Sequence, residues 1–309
     1  MKIAVIGAGA WGKNLVNNFA ELGVLHAVAD AVEANRDWVK ENHATVELHA
    51  DADALFEKGG IDAVAIATPP HTHHAIAKKA MELGLDCFVE KPLTLDVAEA
   101  EDLVRISEET EQVLMVGHLL MYQPAIAFLK DYLDQGKLGQ VYTLTQRRSK
   151  LGRVRSVENV LWSFGVHDVA VLLHLVGEKP ITVQSFGHAG ITEGVEDDVH
   201  LHLAFPSGVK ANLHNSWLWP RVERELIITG EKGILVFDEL NSQVLLHDKI
   251  VAADLSHQDG GSEVIFEGSS QPLRLELEHF IECCQTRTTP KSGGLNALSC
   301  VAALGAASA

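Results

Sequence analysis

The sequence predicts an α/β fold in two parts: a doubly wound parallel sheet comes first, and an α+β part with a mostly antiparallel sheet follows. The chain has 309 residues, a length that favours two domains over one. Over the first 120 residues, short apolar runs alternate with amphipathic stretches of helical period, which is the pattern of β-α-β units. Later in the chain, strands follow one another through hairpin turns, which indicates antiparallel pairing.

The first part is predicted to span residues 1–121. Its candidate strands are 2–6, 26–30, 63–68, 87–90 and 113–117, and its candidate helices are 10–22, 34–42, 72–83 and 95–109. Thr94 is the expected N-cap of the last helix. Because strands and helices alternate, we expect parallel strands with helices on both faces of the sheet.

The second part is predicted to span residues 122–290, and a small-residue helix over 291–309 ends the chain. The second part begins with a helix at 125–135, a strand at 141–147, a basic loop and a helix at 166–175. Two hairpins follow, formed by strands 198–205 and 209–217 and by strands 224–229 and 234–238. A helix at 272–285 precedes the last one.

Composition excludes several classes of protein. Hydrophobic residues make up 47% of the chain and charged residues 22%, which is globular composition. Lys and Arg total 25 against 42 Asp and Glu, and the net charge of -17 opposes binding to nucleic acid. The four cysteines show no C-x-x-C spacing, the N-terminus has no signal-peptide core, and no apolar run reaches the roughly 20 residues that span a bilayer. We therefore expect a cytoplasmic protein without a membrane partner.

Residues 7–12 read Gly-Ala-Gly-Ala-Trp-Gly, a G-x-G-x-x-G motif between an apolar strand and an amphipathic helix. Gly7 permits the tight turn, Gly9 lets the backbone approach a pyrophosphate, and Gly12 allows close packing of helix on strand. Ala10 and Trp11 lie at the helix N-terminus, whose free N–H groups favour the same anion. The motif predicts a dinucleotide site, although a purely structural turn would use the same glycines.

Asp30 ends the next strand, 18 residues beyond Gly12. A carboxylate there accepts hydrogen bonds from the adenosine ribose hydroxyls and repels a 2′-phosphate. No basic residue follows until Arg36, so NAD is the expected cofactor rather than NADP. The alternative is a surface carboxylate that merely ends a strand.

Glu90-Lys91-Pro92 follows the strand 87–90, at the sheet edge where doubly wound folds bind their ligands. A lysine there, partly desolvated near a cationic nicotinamide, would have a depressed pKa and could accept a hydroxyl proton as hydride leaves the same carbon. Pro92 favours a cis bond that would aim the lysine. A solvated lysine in a strand-helix loop is the alternative.

Residues 68–74 read Thr-Pro-Pro-His-Thr-His-His and are expected to line the nicotinamide side of the same crevice. The residues expected near the cofactor are Thr68, Pro69, His71 and His74. These histidines lack a local Cys or carboxylate at zinc-like spacing, so no metal is expected. His200 and His202 alternate on one strand and are interpreted as packing or surface residues.

His167 and Asp168 open the helix at 166–175, directly after Trp162 and Ser163. If this helix faces the crevice, His167 could bond the reacting hydroxyl and share proton transfer with Lys91. Helix capping is the alternative.

Five basic residues lie within nine positions: Arg147, Arg148, Lys150, Arg153 and Arg155. An anionic substrate such as a sugar carboxylate or a nucleotide-sugar pyrophosphate would explain them, because arginine binds such oxygens bidentately. A solvated loop, or pairing with acidic surface elsewhere, would also explain them.

Together, the glycine motif, the Thr68-Pro69-Pro70 loop with His74, Glu90-Lys91-Pro92 and the His167-Asp168 helix resemble the glucose-fructose oxidoreductase / inositol dehydrogenase (Gfo/Idh/MocA) family over nearly the whole chain. The resemblance implies an NAD-binding Rossmann domain, a second domain with an open sheet whose outer face mediates oligomer contacts, and a final helix that returns to the first domain. It also implies reversible oxidation of a secondary alcohol on a sugar, cyclitol or nucleotide-sugar derivative, with Lys91 as acid-base catalyst and His167 assisting. A homodimer or homotetramer is expected.

One position departs from the inositol dehydrogenases of that family, which have an aspartate four residues before the histidine. Here that residue is Ser163, whose hydroxyl cannot supply the same charge. The stretch 158–163 looks instead like members associated with surface-sugar synthesis, which favours a nucleotide-sugar or uronate substrate beside Trp162, Ser163 and Lys150. The alternatives are a non-catalytic NAD sensor and an enzyme that uses NAD transiently for elimination or hydrolysis.

Overall fold

The computed structural model describes residues 1–268 and 271–308. The chain forms two compact units. The first comprises Met1–Leu119 and Leu273–Val301, and the second comprises Leu120–Pro272 and Ala302–Ala309. The first boundary falls near the expected residue 121, but the segment that returns to the first unit begins at Leu273 rather than at residue 291.

The first unit contains a six-stranded sheet in the order β3-β2-β1-β4-β5-β6, with every pair parallel. The strands are β1 (Ile3–Ile6), β2 (Leu25–Ala29), β3 (Glu47–His49), β4 (Ala63–Ile66), β5 (Asp86–Val89) and β6 (Leu114–Val116). The helices among them are α1 (Gly12–Glu21), α2 (Glu33–Asn42), α3 (Ala52–Lys58), α4 (His73–Glu82) and α5 (Val97–Thr110). The predicted doubly wound sheet is confirmed.

The central strands are apolar throughout because helices cover both faces of such a sheet. β1 reads Ile-Ala-Val-Ile and β4 reads Ala-Val-Ala-Ile, and all of these side chains are buried. The sequence does not predict β3, because its three residues, Glu-Leu-His, are too few to show the period of a strand.

The N-cap of α5 is Asp96 and not the expected Thr94. The Asp96 carboxylate accepts hydrogen bonds from the N–H groups of Ala98 and Glu99. The Thr94 hydroxyl donates to the Asp96 carbonyl instead, so it supports the turn before the helix. Two good capping residues lie close together here, and the second one takes the cap.

The second unit contains an eight-stranded sheet in the order β14-β13-β12-β11-β7-β10-β9-β8. Its elements are α6 (Pro124–Asp134), β7 (Val141–Leu151), α7 (Val166–Val176), β8 (Thr182–His188), β9 (Asp198–Ala204), β10 (Lys210–Ser216), β11 (Leu218–Gly230), β12 (Gly233–Asp238), β13 (Gln243–Val251) and β14 (His257–Glu267). All neighbouring strands pair antiparallel except β7 and β10, which are parallel. The mostly antiparallel sheet is confirmed.

One face of this sheet is buried beneath α7, which contacts β7 and β10. Along β9, Val199 and Leu201 are buried, whereas His200 and His202 on the opposite face are exposed. β7 runs as far as Leu151, so the expected basic loop is in large part a strand. Its basic side chains therefore point alternately to the two faces.

The last helices are α8 (Pro272–Thr286) and α9 (Gly294–Ala307). α8 belongs to the first unit because it packs on β5: the Phe280 and Phe88 ring centroids are 5.7 Å apart. Just after α8, the Arg287 guanidinium lies 2.7 Å from the Asp86 carboxylate at the start of β5. Among the described residues, no helix combines the length and apolar character needed to cross a bilayer.

Candidate active site

The glycine turn of the first unit fits a dinucleotide. A Cβ on Gly12 would lie 2.0 Å from the Gly7 carbonyl oxygen, and a Cβ on Gly7, whose φ is +95°, would lie 2.7 Å from the Ala67 carbonyl oxygen. At Gly9, no heavy atom of the described residues lies within 4 Å of the Cβ position. Within the described part of the chain, no side chain caps the N-terminus of α1. Two glycines are thus required for packing, while the third leaves room for a diphosphate at a helix N-terminus.

Asp30 stabilises the glycine turn through the hydrogen bonds that its carboxylate accepts. Its carboxylate accepts hydrogen bonds from the N–H of Ala8 at 2.6 Å, the N–H of Val32 at 2.8 Å and the side-chain amide of Asn35 at 3.1 Å. It is 9% exposed, so it is not a surface carboxylate that merely ends a strand. A carboxylate has about four acceptor sites, and one remains for a ribose hydroxyl. Arg36 donates to the Asp30 carbonyl and not to this carboxylate.

Glu90 and Lys91 lie directly after β5, and the Lys91–Pro92 bond is cis. The buried Glu90 carboxylate accepts hydrogen bonds from the Trp11 indole and, at 3.2 Å, from the N–H of Lys91. Burial raises the pKa of Glu90 to about 7, although the indole and Lys91 oppose the shift. The contact with Trp11 joins the glycine motif to Glu90-Lys91-Pro92 at the ligand-binding edge of the sheet.

His73, which the sequence analysis does not single out, holds two loops of this edge together. Its Nδ1 lies 2.9 Å from the Pro92 carbonyl oxygen and its Nε2 lies 2.9 Å from the Thr68 carbonyl oxygen. Burial lowers the pKa of His73, while the hydrogen bonds to the Pro92 and Thr68 carbonyls oppose the shift. The loop that carries Thr68 and Pro69 is thereby fastened to the cis-proline loop.

The structure gives His74 a role different from the expected cofactor contact. Its Nε2 lies 2.9 Å from the Asp102 carboxylate of α5, which Lys78 also approaches at 3.0 Å. His74 therefore connects α4 to α5. His71 is exposed in the short turn before α4.

The buried polar residues His118 and Glu276 of this unit are not predicted from the sequence. His118 comes two residues after the end of β6 and is 2% exposed. Burial, reinforced by the charge of Lys91, lowers the pKa of His118 to about 3. Glu276 is 1% exposed on α8, and burial, together with the charge of Glu90, raises its pKa well above the ordinary value.

The position of Glu276 follows from how α8 packs on β5. Phe280 packs on Phe88, and Glu276 lies one helical turn before Phe280, while Glu90 lies two residues after Phe88. Helix and strand run in opposite directions, so the two carboxyl groups approach each other. A charged residue on the apolar face of the predicted helix 272–285, and a histidine directly after a predicted strand, are the sequence signals that could have found both residues.

In the second unit, Asp168 is part of a buried ion-pair cluster formed by Arg148, Asp168, Asn215 and Glu239. Arg148 Nε lies 2.8 Å from Asp168, and its two terminal nitrogens lie 3.1 and 2.6 Å from Glu239. Asn215 donates to Asp168 at 3.0 Å. Despite its burial, the two carboxylates raise the pKa of Arg148. At 1% exposed and with two donors, Asp168 is a structural partner of Arg148 and neither a helix cap nor an accessible substrate ligand.

His167, Trp162 and Ser163 lie in and just before the first turn of α7. His167 is half-buried and Ser163 is buried. Trp162 donates its indole N–H to the Ser308 hydroxyl at 3.2 Å. The indole N–H therefore already has a hydrogen-bond partner near the C-terminus. The ammonium of Lys150 lies 5.8 Å from the centroid of the Phe164 ring. Lys150 is therefore the basic residue of β7 that lies beside the start of α7.

Arg147 is on the opposite face of β7 from Arg148. It bonds Glu223 at 2.9 Å, and its guanidinium lies 5.8 Å from the Trp219 ring. Because neighbouring strand residues face opposite ways, Arg147 cannot join Lys150 at the start of α7. Arg155 pairs with Glu158. Much of the basic run is thus paired with acidic residues, which was the second explanation for it.

On the outer face of this sheet, Asp198, His200 and His214 form a cluster of side chains of the types that bind metals. The two imidazoles are stacked with their centroids 4.1 Å apart and an angle of 5° between the planes. The lone pairs of parallel rings do not converge on one ion. Asp198 instead accepts from His214 at 3.2 Å.

Comparison with known proteins agrees with these features. Residues 1–118 match the model of the oxidoreductase family with an NAD-binding Rossmann fold, and residues 126–236 match the GFO/IDH/MocA C-terminal domain. The UDP-N-acetylglucosamine 3-dehydrogenase of Acidithiobacillus ferrooxidans is 29% identical over 284 residues, which cover 91% of this chain and 88% of that enzyme. Its solved structure matches with a TM-score of 0.87 at 27% identity, over 100% of this chain and 98% of that one.

Two further relatives differ in their reactions. The scyllo-inositol 2-dehydrogenase (NAD(+)) of Bacillus subtilis is 28% identical over 312 residues, covering 94% of this chain and 88% of that enzyme. The 2,7-anhydro-N-acetylneuraminate hydratase of Escherichia coli is 29% identical over 254 residues, covering 76% and 66%. Since the two family models cover most of its length, the chain belongs to the GFO/IDH/MocA oxidoreductase family and uses NAD as its cofactor.

Proposed function

We propose that the protein oxidises a secondary alcohol of a nucleotide-linked sugar to a ketone, reversibly, with NAD as the oxidant. The observation that carries the proposal is the position of Lys91, which follows β5 at the ligand edge of the NAD-binding unit and is adjacent to the buried Glu90. A general base at this edge is what alcohol oxidation requires. We also expect a homodimer or homotetramer in the cytoplasm.

When bound, NAD supplies the acceptor for the hydride. The turn of Gly7, Gly9 and Gly12 would hold the diphosphate, and Asp30 would accept a hydrogen bond from the adenosine ribose. Lys91 is assigned the hydroxyl proton, so that the alcohol loses two electrons and two hydrogens and the C–O bond becomes a carbonyl. His167 is assigned the hydrogen bond that holds the same hydroxyl.

The substrate class rests on Ser163 and on the relatives. Ser163 stands where the inositol dehydrogenases have an aspartate, and a hydroxyl does not offer a polyol the same charged acceptor. The relative that acts on UDP-N-acetylglucosamine matches over nearly the whole of both chains. Lys150 at the start of α7 is a cation that could approach a sugar carboxylate or a diphosphate.

The test is NADH formation by the purified protein across a panel of alcohols. The panel contains UDP-N-acetylglucosamine, its uronic acid, the free amino sugar, glucose, myo-inositol and scyllo-inositol. We expect a nucleotide sugar to give kcat/KM at least roughly tenfold above every free sugar and cyclitol. Preference for an inositol would overturn the substrate class, and failure of the whole panel would overturn the dehydrogenase assignment.

A second candidate is NAD-assisted elimination or hydration, which the hydratase relative favours. Such an enzyme forms product without accumulating NADH, so product analysis by mass spectrometry separates it from a net dehydrogenase. A non-catalytic sensor would bind NADH and convert no member of the panel.

A further inference from the structure

The imidazole of His118 is the most isolated buried polar group at the ligand edge of the first unit. It lies two residues beyond β6, is 2% exposed, and neither ring nitrogen has a hydrogen-bond partner among the described residues. A buried polar group without a partner opposes folding, because it loses its hydrogen bonds to water. A residue of this kind at the end of the parallel strands where such folds bind their ligands points to a partner that arrives with the ligand.

The charge state of His118 limits what that partner can be. Burial and the neighbouring charge of Lys91 keep the ring neutral at pH 7. A neutral imidazole has one N–H donor and one acceptor nitrogen. It therefore suits an uncharged group such as an amide or a hydroxyl, and it does not suit a phosphate, which prefers cationic donors.

The neighbours of His118 do not take up its hydrogen bonds. The Glu90 carboxylate lies beside Gly117, where a Cβ would come within 3.0 Å of its Oε2, and is bonded to Trp11 and to the N–H of Lys91. Glu276 Oε1 is likewise buried without a partner among the described residues. The ligand edge thus contains hydrogen-bonding capacity that the protein itself leaves unused.

We infer that His118 is a ligand-binding residue that hydrogen-bonds an uncharged polar group, either the carboxamide of the nicotinamide or a hydroxyl of the substrate. If the partner of His118 is the substrate, the inference rests on the proposed function. If the partner is the cofactor, the inference rests only on the NAD-binding unit. It adds to Lys91 and His167 a third polar group, one that orients the ligand and moves no proton.

The experiment uses H118L in the full-length protein. Leucine removes both ring nitrogens and retains an apolar side chain of similar size, so the ligand-free variant should melt a few degrees higher than the wild type. If His118 binds the cofactor, the Kd for NADH, measured by fluorescence without substrate, should rise at least roughly fivefold. If it binds the substrate, the Kd for NADH should stay unchanged and the KM should rise by a similar factor.

The matched control is H26L, because His26 is the second residue of β2, toward the opposite end of the parallel strands. It should leave NADH affinity and KM unchanged. If both NADH affinity and KM stay within about twofold of wild type, His118 does not bind the ligand and the inference is wrong; an unchanged melting temperature would then indicate that a trapped water satisfies the ring. If H118L does not fold, H118N, which retains one donor and one acceptor near the backbone, takes its place with the same criteria.

The two proposals fail separately. If no alcohol is oxidised, the NADH affinity of H118L still shows whether His118 binds the cofactor. The rise in melting temperature that UDP-N-acetylglucosamine causes, compared between H118L and the wild type, shows whether His118 binds the substrate. If turnover is normal and H118L changes neither NADH affinity nor KM, the dehydrogenase assignment stands without His118.

Discussion

The two units differ in whether particular buried polar side chains are paired with one another. In the second unit, Arg148 is surrounded by the carboxylates of Asp168 and Glu239, and each charge has an opposite charge within 3.1 Å. In the first unit, His118 and Glu276 are equally buried, yet a ring or carboxyl atom of each has no partner among the described residues. The charges of the second unit's cluster are paired with one another, whereas the unused hydrogen-bonding atoms of His118 and Glu276 are those that the proposed ligand would satisfy. The contrast sets a packing role against a proposed binding role within one chain.

The largest effect is expected at the ligand edge of the first unit, from K91M. Methionine keeps much of the length of the side chain but cannot accept a proton, so turnover should fall roughly 10²- to 10⁴-fold. NADH affinity and melting temperature should change little, because the loss falls on the chemical step. Steady-state kinetics and NADH titration measure the two parts. Unchanged turnover would remove Lys91 from the mechanism.

The next effect is expected at the paired cluster, from R148M. It leaves Asp168 buried without its cation and leaves Glu239 with only Arg224, at 3.1 Å, which should lower the free energy of unfolding by about 3–5 kcal/mol. The matched control is R147M, one residue away on the other face, whose partner pair is partly exposed. Loss of that pair should lower the stability by less than about 1 kcal/mol. Similar losses in both variants, measured by denaturant titration, would contradict the contrast between the two units.

A smaller effect is expected from G9A and G12A, which test the ligand-binding and packing roles of the glycine turn separately. G9A adds a methyl group where the structure has open space, so the ligand-free variant should melt like the wild type. The methyl group would occupy the path of the diphosphate, and NADH affinity should fall about tenfold or more. G12A places the same atom 2.0 Å from a backbone oxygen and should lower the melting temperature itself. Equal thermal losses in the two variants would show that Gly9 also serves packing.

Local sequence patterns predict most of the fold and the ligand edge of the first unit, although not His118 and Glu276. Apart from β3, the strands of the first unit are apolar runs, and the glycine motif and Lys91 lie where those strands end. The patterns do not predict β14, whose Asp-Gly-Gly-Ser segment and exposed side chains show no alternation. Its pairing with β13 is a property of the assembled sheet.

The paired cluster could not be predicted, because its partners are far apart in the sequence. Arg148 and Glu239 are 91 residues apart, and nothing near Asp168 indicates that an arginine of β7 will reach it. His167 and Asp168 are neighbours and look like one functional pair, yet Asp168 faces the buried cluster. Local patterns reveal where chemistry can occur, but long-range packing decides which charged residues are already committed.

The smallest effect is expected from E276Q, whose stability relative to the wild type should depend on pH. Folded-state pKa values of Glu90 and Glu276 lie above the ordinary value of 4.5, and that of Glu90 is about 7. The folded protein therefore holds protons that the unfolded chain releases. This proton binding contributes fully to the free energy of unfolding below pH 4.5, and the contribution is lost as the pH rises toward 7 and beyond. E276Q keeps the shape and removes the ionisable group.

E276Q should therefore match the wild type in stability near pH 5 and exceed it at pH 8, by about 1.4 kcal/mol for each unit by which folding raises the pKa of Glu276 within that range. The matched control is E278Q on the same helix, where Glu278 is exposed and pairs with Arg274 at 2.9 Å. That variant should show no gain at either pH. Denaturant titrations at the two pH values measure the difference. A gain that is independent of pH would mean that Glu276 is strained rather than protonated, and the carboxyl groups of α8 and β5 would then not be electrostatically coupled.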